Sequence, residues 1–260
     1  MGKKIPFGQH FLNKGAIIDA IVEQAGLTKA DTVLEIGPGE GALTKALARE
    51  AGRVVALEID KRLIPTLKKN ISGFDNVEVI QGDALSYDFA QIGVERFKVV
   101  SNLPYNISLP ITKKLIDERD KIIDMVLMYQ LEVTKRLSAK AGDDGYGALS
   151  ILVQYWADTS HLLFVGKENF TPPPKVDSAV IRMTPRKSPA VKVKDEEFFF
   201  RLVKGLFAHR RKTIKNNLVS MSIDNEKIAS SLEGCGISPS QRGEELSMEQ
   251  MALLADQLIT

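Results

Sequence analysis

Four short stretches hold the residue types that could do chemistry together. Glu35-Ile-Gly-Pro-Gly39-Glu-Gly-Ala42 follows an apolar run and supplies small residues where a backbone could turn sharply and approach a ligand at a helix start. Gly37 and Gly39 are the candidates for that close approach. Leu57-Glu58-Ile-Asp60 closes the next apolar run about twenty residues further on, the place from which a carboxylate can grip both hydroxyls of a ribose. Together they imply an adenosine-bearing ligand. The same pair is expected of dinucleotide-dependent dehydrogenases, and a tight turn followed by a solvated acidic pair would look alike.

Two further stretches separate these readings. Gln81-Gly-Asp83 offers a carboxylate to an adenine amino group, and Ser101-Asn102-Leu-Pro-Tyr105-Asn combines an amide, a proline and an aromatic ring without the acid–base partner that hydride transfer uses. An exocyclic amine is a poor nucleophile because its lone pair is delocalised into the ring. The Asn102 side-chain oxygen and the Leu103 carbonyl can accept its two hydrogens and free that lone pair for attack on a sulfonium methyl group. Pro104 removes a donor and stiffens the turn. Tyr105 offers a stacking face to a base extruded from its helix. The plain alternative is a proline-terminated strand with a buried tyrosine, and the position opposite the glycine turn weighs against it.

These stretches need a scaffold that brings strand ends together. Apolar runs at Thr32–Ile36, Val54–Ile59, Val77–Ile80, Phe97–Val100 and Met125–Met128 alternate with helical patterns at 42–50, 62–70, 111–118 and 131–139, after an opening helix from Asn13 to Leu27 capped by Asn13. Leu162–Val165 and Ala179–Met183 flank Pro172-Pro-Pro and predict a closing hairpin. The expected fold is α/β, a mostly parallel seven-stranded sheet with helices on both faces. The polar stretch from Pro185 to Asp195 reads as a linker, and helices at 196–208, 213–220, 225–232 and 248–258 predict a small all-α second domain. The boundaries expected are 1–186 and 187–260.

Composition excludes several classes. With 260 residues, 44% hydrophobic and 26% charged, the chain is an ordinary globular one with ample length for a core. A single cysteine, Cys235, excludes a disulfide framework, and the three histidines fit no metal spacing, so no metal is expected. No apolar run approaches the eighteen or so residues of a membrane span, and the start carries no leader pattern, so a cytoplasmic protein is expected. The net charge of +2 gives no global case for a nucleic-acid partner. Any such case rests on local clusters, of which Arg210, Arg211, Lys212 and Lys215 form the densest and Lys3 and Lys4 a smaller one; a solvated face is the bland alternative.

With these motifs in order, the sequence resembles the ribosomal RNA adenine dimethyltransferases almost from end to end, in particular the bacterial small-subunit type. Phe7-Gly-Gln-His-Phe-Leu12 is similar to that family's N-terminal motif, and the stretches at 35–39, 58–60, 82–84 and 102–105 to its cofactor and catalytic motifs. The resemblance implies a Rossmann-like class I methyltransferase using S-adenosylmethionine, held by His10, Leu12, Gly37, Gly39, Glu58, Asp83 and Asn102. Some members carry asparagine at the position of His10, so only its backbone contact carries over. Phe170-Thr-Pro-Pro-Pro-Lys-Val-Asp-Ser178 resembles the post-catalytic signature and implies Phe170 as a second stacking ring. Segments 207–218 and 236–247 resemble the small-subunit group rather than the erythromycin-resistance enzymes that act on large-subunit rRNA. The implied activity is N6-dimethylation of two adjacent adenosines near the 3′ end of small-subunit rRNA in the 30S particle, by a monomer, as a step of ribosome biogenesis. A dehydrogenase, and a non-enzymatic assembly or transcription factor on the same scaffold, are the rival classes.

Overall fold

Short apolar runs bounded by turn residues and amphipathic stretches between them give nine strands and ten α-helices among residues 10–12 and 14–259, which the computed structural model describes. Lys3, Lys4, Phe7–Gln9 and the expected cap Asn13 lie outside the described residues. In chain order the elements are β1 (Phe11–Leu12), α1 (Gly15–Ala25), β2 (Thr32–Ile36), α2 (Ala42–Glu50), β3 (Arg53–Glu58), α3 (Ile64–Asn70), β4 (Val77–Gln81), β5 (Phe97–Asn102), α4 (Ser108–Asp117), β6 (Ile122–Gln130) and α5 (Leu131–Ser138). They continue with α6 (Ala148–Trp156), β7 (Ala157–Val165), β8 (Phe170–Thr171), β9 (Ser178–Pro185), α7 (Glu196–Ala208), α8 (Ile214–Ser220), α9 (Asn225–Gly234) and α10 (Met248–Ile259).

The chain forms two compact units. The first ends at Thr134 and resumes over Asp158–Pro185; the second comprises Lys135–Ala157 and the chain from Arg186 onward. The first holds a seven-stranded sheet in the order β4-β3-β2-β5-β6-β9-β7. Pairings from β4 across to β6 are parallel, and β9 runs antiparallel to β6. Strand order runs outward in both directions from β2 and β5, so the carboxyl ends of these neighbours form the switch point at which α/β sheets bind ligands.

Both faces of the sheet are covered, which is why its strands read as unbroken apolar runs such as Val54-Val-Ala-Leu57. Val33, Val54, Val100, Val126 and Met128 pack in one cluster with Ile18, Ile21 and Val22 of α1 and Leu43 and Leu47 of α2. The alternate residues Leu34, Val55, Leu57, Val99, Met125 and Leu127 are equally buried. Tyr129, next to Met128 and hence on the opposite face, shares a 2.8 Å hydrogen bond with Thr112, which places α4 there. Each such side chain, fully buried, contributes roughly 1.5–3 kcal/mol.

A two-stranded ladder completes this unit. β1 pairs antiparallel with β8, Phe11 facing Thr171 and Leu12 facing Phe170.

The second unit is helical. Tyr155 of α6 stacks on Phe199 of α7 at 5.3 Å, inside a core built from Ile214 and Leu218 of α8, Ile228 and Leu232 of α9, and Met251, Leu254 and Leu258 of α10. Three of its helices, α7, α8 and α9, start on side-chain caps: Asp195 accepts from the Phe198 N–H, Thr213 from Asn216, and Asp224 from Glu226 and Lys227. The sequence reading drew one boundary near Pro185; here residues 135–157 also pack with the helices, because Tyr146, Ile151 and Tyr155 belong to their core. Among the described residues no helix is long and apolar enough to cross a membrane, and no group of three or more histidine, cysteine or acidic side chains is placed to hold a metal ion.

Candidate active site

The loop after β2 is shaped by glycines at conformations that side chains avoid. Gly37 has φ 69°, Gly39 φ 60° and Gly41 φ 88°. Space is as restrictive as conformation at all three, and at Gly41 a Cβ would sit 2.7 Å from a methyl carbon of Leu67. A Cβ on Gly37 would sit 2.9 Å from Cγ of Pro104, and one on Gly39 would sit 2.8 Å from the Phe11 ring. The glycine turn is therefore pressed against both the Asn102–Tyr105 turn and β1. Ser101 reinforces this by donating to the Ile36 carbonyl at 2.5 Å, tying the ends of β5 and β2.

Around this junction lies a cavity of about 400 Å³, within the range of ligand sites. Its walls include His10, Leu12, Gly37, Gly39, Glu58, Asp83, Asn102, Leu103, Pro104 and Tyr105, so the structure brings together all but one of the expected cofactor and catalytic residues. Glu58 is buried, at 2% exposure, and its carboxylate accepts the Gly39 N–H at 3.0 Å and the Asp60 N–H at 2.8 Å. Two amides leave a carboxylate with further acceptor capacity, which suits a diol. Asp60, the other half of that acidic pair, is engaged by Arg62 through Nε and Nη2. Asp83 is exposed, and one of its oxygens accepts the Leu85 N–H at 2.9 Å.

Asn102 ends β5 with its Oδ1 buried and without a hydrogen-bond partner among the described residues. A buried acceptor left unsatisfied costs on the order of 1–3 kcal/mol, so it marks a place for a donor that arrives from outside. The half-buried Tyr105 shares a 2.6 Å hydrogen bond with Ser178 at the start of β9, and burial raises its phenol above the ordinary tyrosine range. The His10 ring lies 5.9 Å from the Tyr105 ring, and its Nδ1–H donates to the Pro172 carbonyl at 2.7 Å.

Phe170 is the exception. It is 3% exposed, packed in one cluster with Leu12, Val165 and Val180, and is not among the described residues that line the cavity. Its pairing with Leu12 across β1 and β8 draws the ring into that cluster. In the helical unit Arg210, Arg211, Lys212 and Lys215 are all exposed near the start of α8, and Arg210 pairs with Glu244 at 3.3 Å. Asn217 braces the turn before them, donating to the carbonyls of Leu206 and His209.

The sequence reading passed over Ser101, Ser178 and Phe11 as positioning residues, and Glu35 as a cavity wall. All four lie inside motifs it used; only the fold shows what they touch.

Orphaned acceptors, glycines with no room for a side chain and a carboxylate beside the turn all fit an adenosine-bearing, positively charged ligand. The comparisons agree. Residues 2–260 match the family model "Ribosomal RNA adenine dimethylase". The "Ribosomal RNA small subunit methyltransferase A" of Moorella thermoacetica is 44% identical over 258 residues, covering 95% of this chain and 90% of that protein. Among solved structures, a dimethyladenosine transferase from Plasmodium falciparum superposes with a TM-score of 0.81 at 29% identity, over 94% of this chain and 96% of that one. The 23S rRNA methyltransferase ErmE gives 0.76 at 29%, over 96% and 100%. A match of this extent, on a cavity built from the family's own motifs, makes the chain a member of the ribosomal RNA adenine dimethylase family.

Proposed function

We propose that this protein dimethylates the exocyclic amines of two adjacent adenosines near the 3′ end of small-subunit rRNA, in the 30S particle, as a cytoplasmic monomer contributing to ribosome biogenesis. The observation that carries the reading is the contact of Gly37 with Pro104 beside the unpartnered Asn102 Oδ1. It sets an acceptor for amine hydrogens against a turn that can admit a cofactor backbone-first.

S-Adenosylmethionine, when bound, supplies a methyl group on a positively charged sulfur. Gly37 and Gly39 let the backbone approach it, Glu58 takes the ribose hydroxyls, Asp83 takes the adenine amine, and His10 and Leu12 close the side formed by β1. The chain's contribution to the reaction is placement. Asn102 Oδ1 and the Leu103 carbonyl hold the two hydrogens of the target amine, turning its lone pair out of conjugation, and Pro104 keeps that turn rigid. Tyr105 stacks on the extruded base, held in place by Ser178. Phe170 is proposed as the opposite ring, a role that requires it to leave its buried position. Arg210, Arg211, Lys212 and Lys215 are proposed to meet RNA phosphates. Residues 1–186 then act as the catalytic domain and 187–260 as the core of an RNA-recognition domain.

The test is transfer of labelled methyl from S-adenosylmethionine to 30S particles lacking the modification, with mass spectrometry of the 3′-terminal rRNA fragment. Wild type is expected to yield two dimethylated adenosines. Asn102→Ala should lower kcat/KM by about 10²–10³, the cost of losing one preorganised hydrogen-bonding group in a water-poor site. No transfer by wild type, or full transfer by Asn102→Ala, would overturn the reading.

A further inference from the structure

Glu35 is a buried carboxyl in the cavity wall that takes no part in holding the ribose, the adenine or the target amine. It sits on β2 immediately before the glycine turn, is 2% exposed, and lines the same cavity as Gly37, Glu58 and Asn102. Its Oε2 has no hydrogen-bond partner among the described residues, and the hydroxyl of Thr44, a fully buried α2 residue, lies beside the carboxyl. A buried carboxylate with no cation near it is an expensive arrangement; such a group keeps its proton until a positive charge arrives.

We infer that Glu35 is a protonated acid in the free protein and becomes the counter-ion of the bound cofactor's positive charge, so that binding expels one proton from this carboxyl. The inference rests on S-adenosylmethionine being the ligand. Two positive centres of that ligand could face Glu35, the sulfonium sulfur and the α-ammonium group; the shared chemistry is a cation against a carboxylate.

Charge in the cavity agrees. Burial pushes the Glu35 carboxyl up to about 8, against an opposing pull from the Thr44 hydroxyl and with a further push from the Glu58 carboxylate. Among the described residues the other charged or titratable walls are Glu40, Glu58, Asp83, His10 and Tyr105, and no lysine or arginine stands with them. Two consequences follow from the balance of protons and charge. A cation that enters as the carboxyl ionises leaves the net charge of the cavity unchanged, so binding does not oppose the negative charge of Glu58. And affinity depends on pH, because the proton must leave.

The experiment is calorimetric titration of the intact protein with S-adenosylmethionine and with S-adenosylhomocysteine, which lacks the sulfonium but keeps the ammonium. Between pH 6 and 7 the ligand's own amine, with an ordinary value of about 7.7–8.0, stays charged. Repeating the titration in buffers of different ionisation enthalpy counts protons. Wild type should release close to one proton and bind about tenfold tighter across that pH unit. Glu35→Gln should bind with neither the release nor the pH dependence. Release with both ligands assigns the ammonium as the partner; release with S-adenosylmethionine alone assigns the sulfonium. Because the variant could fail to fold, wild-type protein carrying ¹³C-labelled glutamate carboxyls gives a second reading. One carboxyl should titrate far above the others when free and become ionised on adding ligand at pH 7. Binding of S-adenosylmethionine without proton release, or release undiminished in Glu35→Gln, overturns the inference and leaves the proposed function standing. Failure of wild type to bind either ligand overturns both.

Discussion

The cavity of the sheet unit and the basic turn of the helical unit are built on opposite terms. Around the cavity, backbone does the positioning: Gly37 and Gly39 sit at φ values that a side chain resists, with neighbours at 2.9 and 2.8 Å, and the functional acceptors are buried. At the basic turn, Arg210, Arg211, Lys212 and Lys215 are exposed side chains on a braced loop, with charge as their main attribute. Buried geometry fails abruptly, whereas exposed charge fails by degrees. The two regions should therefore answer substitution in different ways, and each difference can be measured.

The largest effect is expected at Gly37. An alanine there meets both penalties, the left-handed φ and the Pro104 ring, and Pro104 can yield only by moving the Asn102–Tyr105 turn. Since a misplacement of about 1 Å at reacting groups can cost about 10²-fold, Gly37→Ala should lose at least that in methyl transfer while unfolding as cooperatively as wild type. Steady-state kinetics with thermal unfolding checks this. Activity within threefold of wild type would mean that the turn is not the rigid element of the site.

Phe170 tests where the boundary between core and site runs. As a buried ring it should cost roughly 3–5 kcal/mol when cut to alanine, whereas Phe170→Leu keeps most of the apolar volume and should cost less than about 1.5 kcal/mol. Denaturant unfolding gives both numbers. Methyl transfer by Phe170→Leu then decides the role: a fall of tenfold or more at near-native stability assigns the ring to the base, and unchanged turnover leaves it as the clamp between β1 and β8.

How far the sequence could be read follows the same division. The seven strands of the main sheet, the glycine turn, the carboxylates Glu58 at the end of β3 and Asp83 just past β4, and the Asn102 turn were legible because each has a local signature, a period, a turn residue or a motif. The helix α6 was not. Ala148-Leu-Ser-Ile-Leu-Val-Gln-Tyr-Trp156 is so nearly all apolar that periodicity cannot separate a buried helix from a strand. β7 was seen only over its last four residues, because Asp158 and the exposed Ser160 and His161 sit on an edge strand whose outer face meets water. The two-residue strands β1 and β8 have no pattern to detect, and without them Phe170 reads as a free ring. Glu35 stood in the quoted motif, yet its burial and its missing partner are properties of the packed sheet.

The smallest and most graded response belongs to the basic turn. If Arg211, Lys212 and Lys215 each meet an RNA phosphate, replacing them one at a time with alanine should weaken rRNA binding to similar extents. Each should also lower the slope of log affinity against log salt, by a little under one per contact on duplex RNA if it behaves as B-form DNA does. Arg210 should matter less, since its guanidinium already pairs with Glu244. Because phosphate contacts carry no base information, the position of methylation should stay the same in every variant. Filter binding across a salt series, with mapping of the methylated residues, makes both measurements. Slopes that do not change would return this turn to the status of a solvated face; a changed methylation site would show that it reads RNA shape as well as charge.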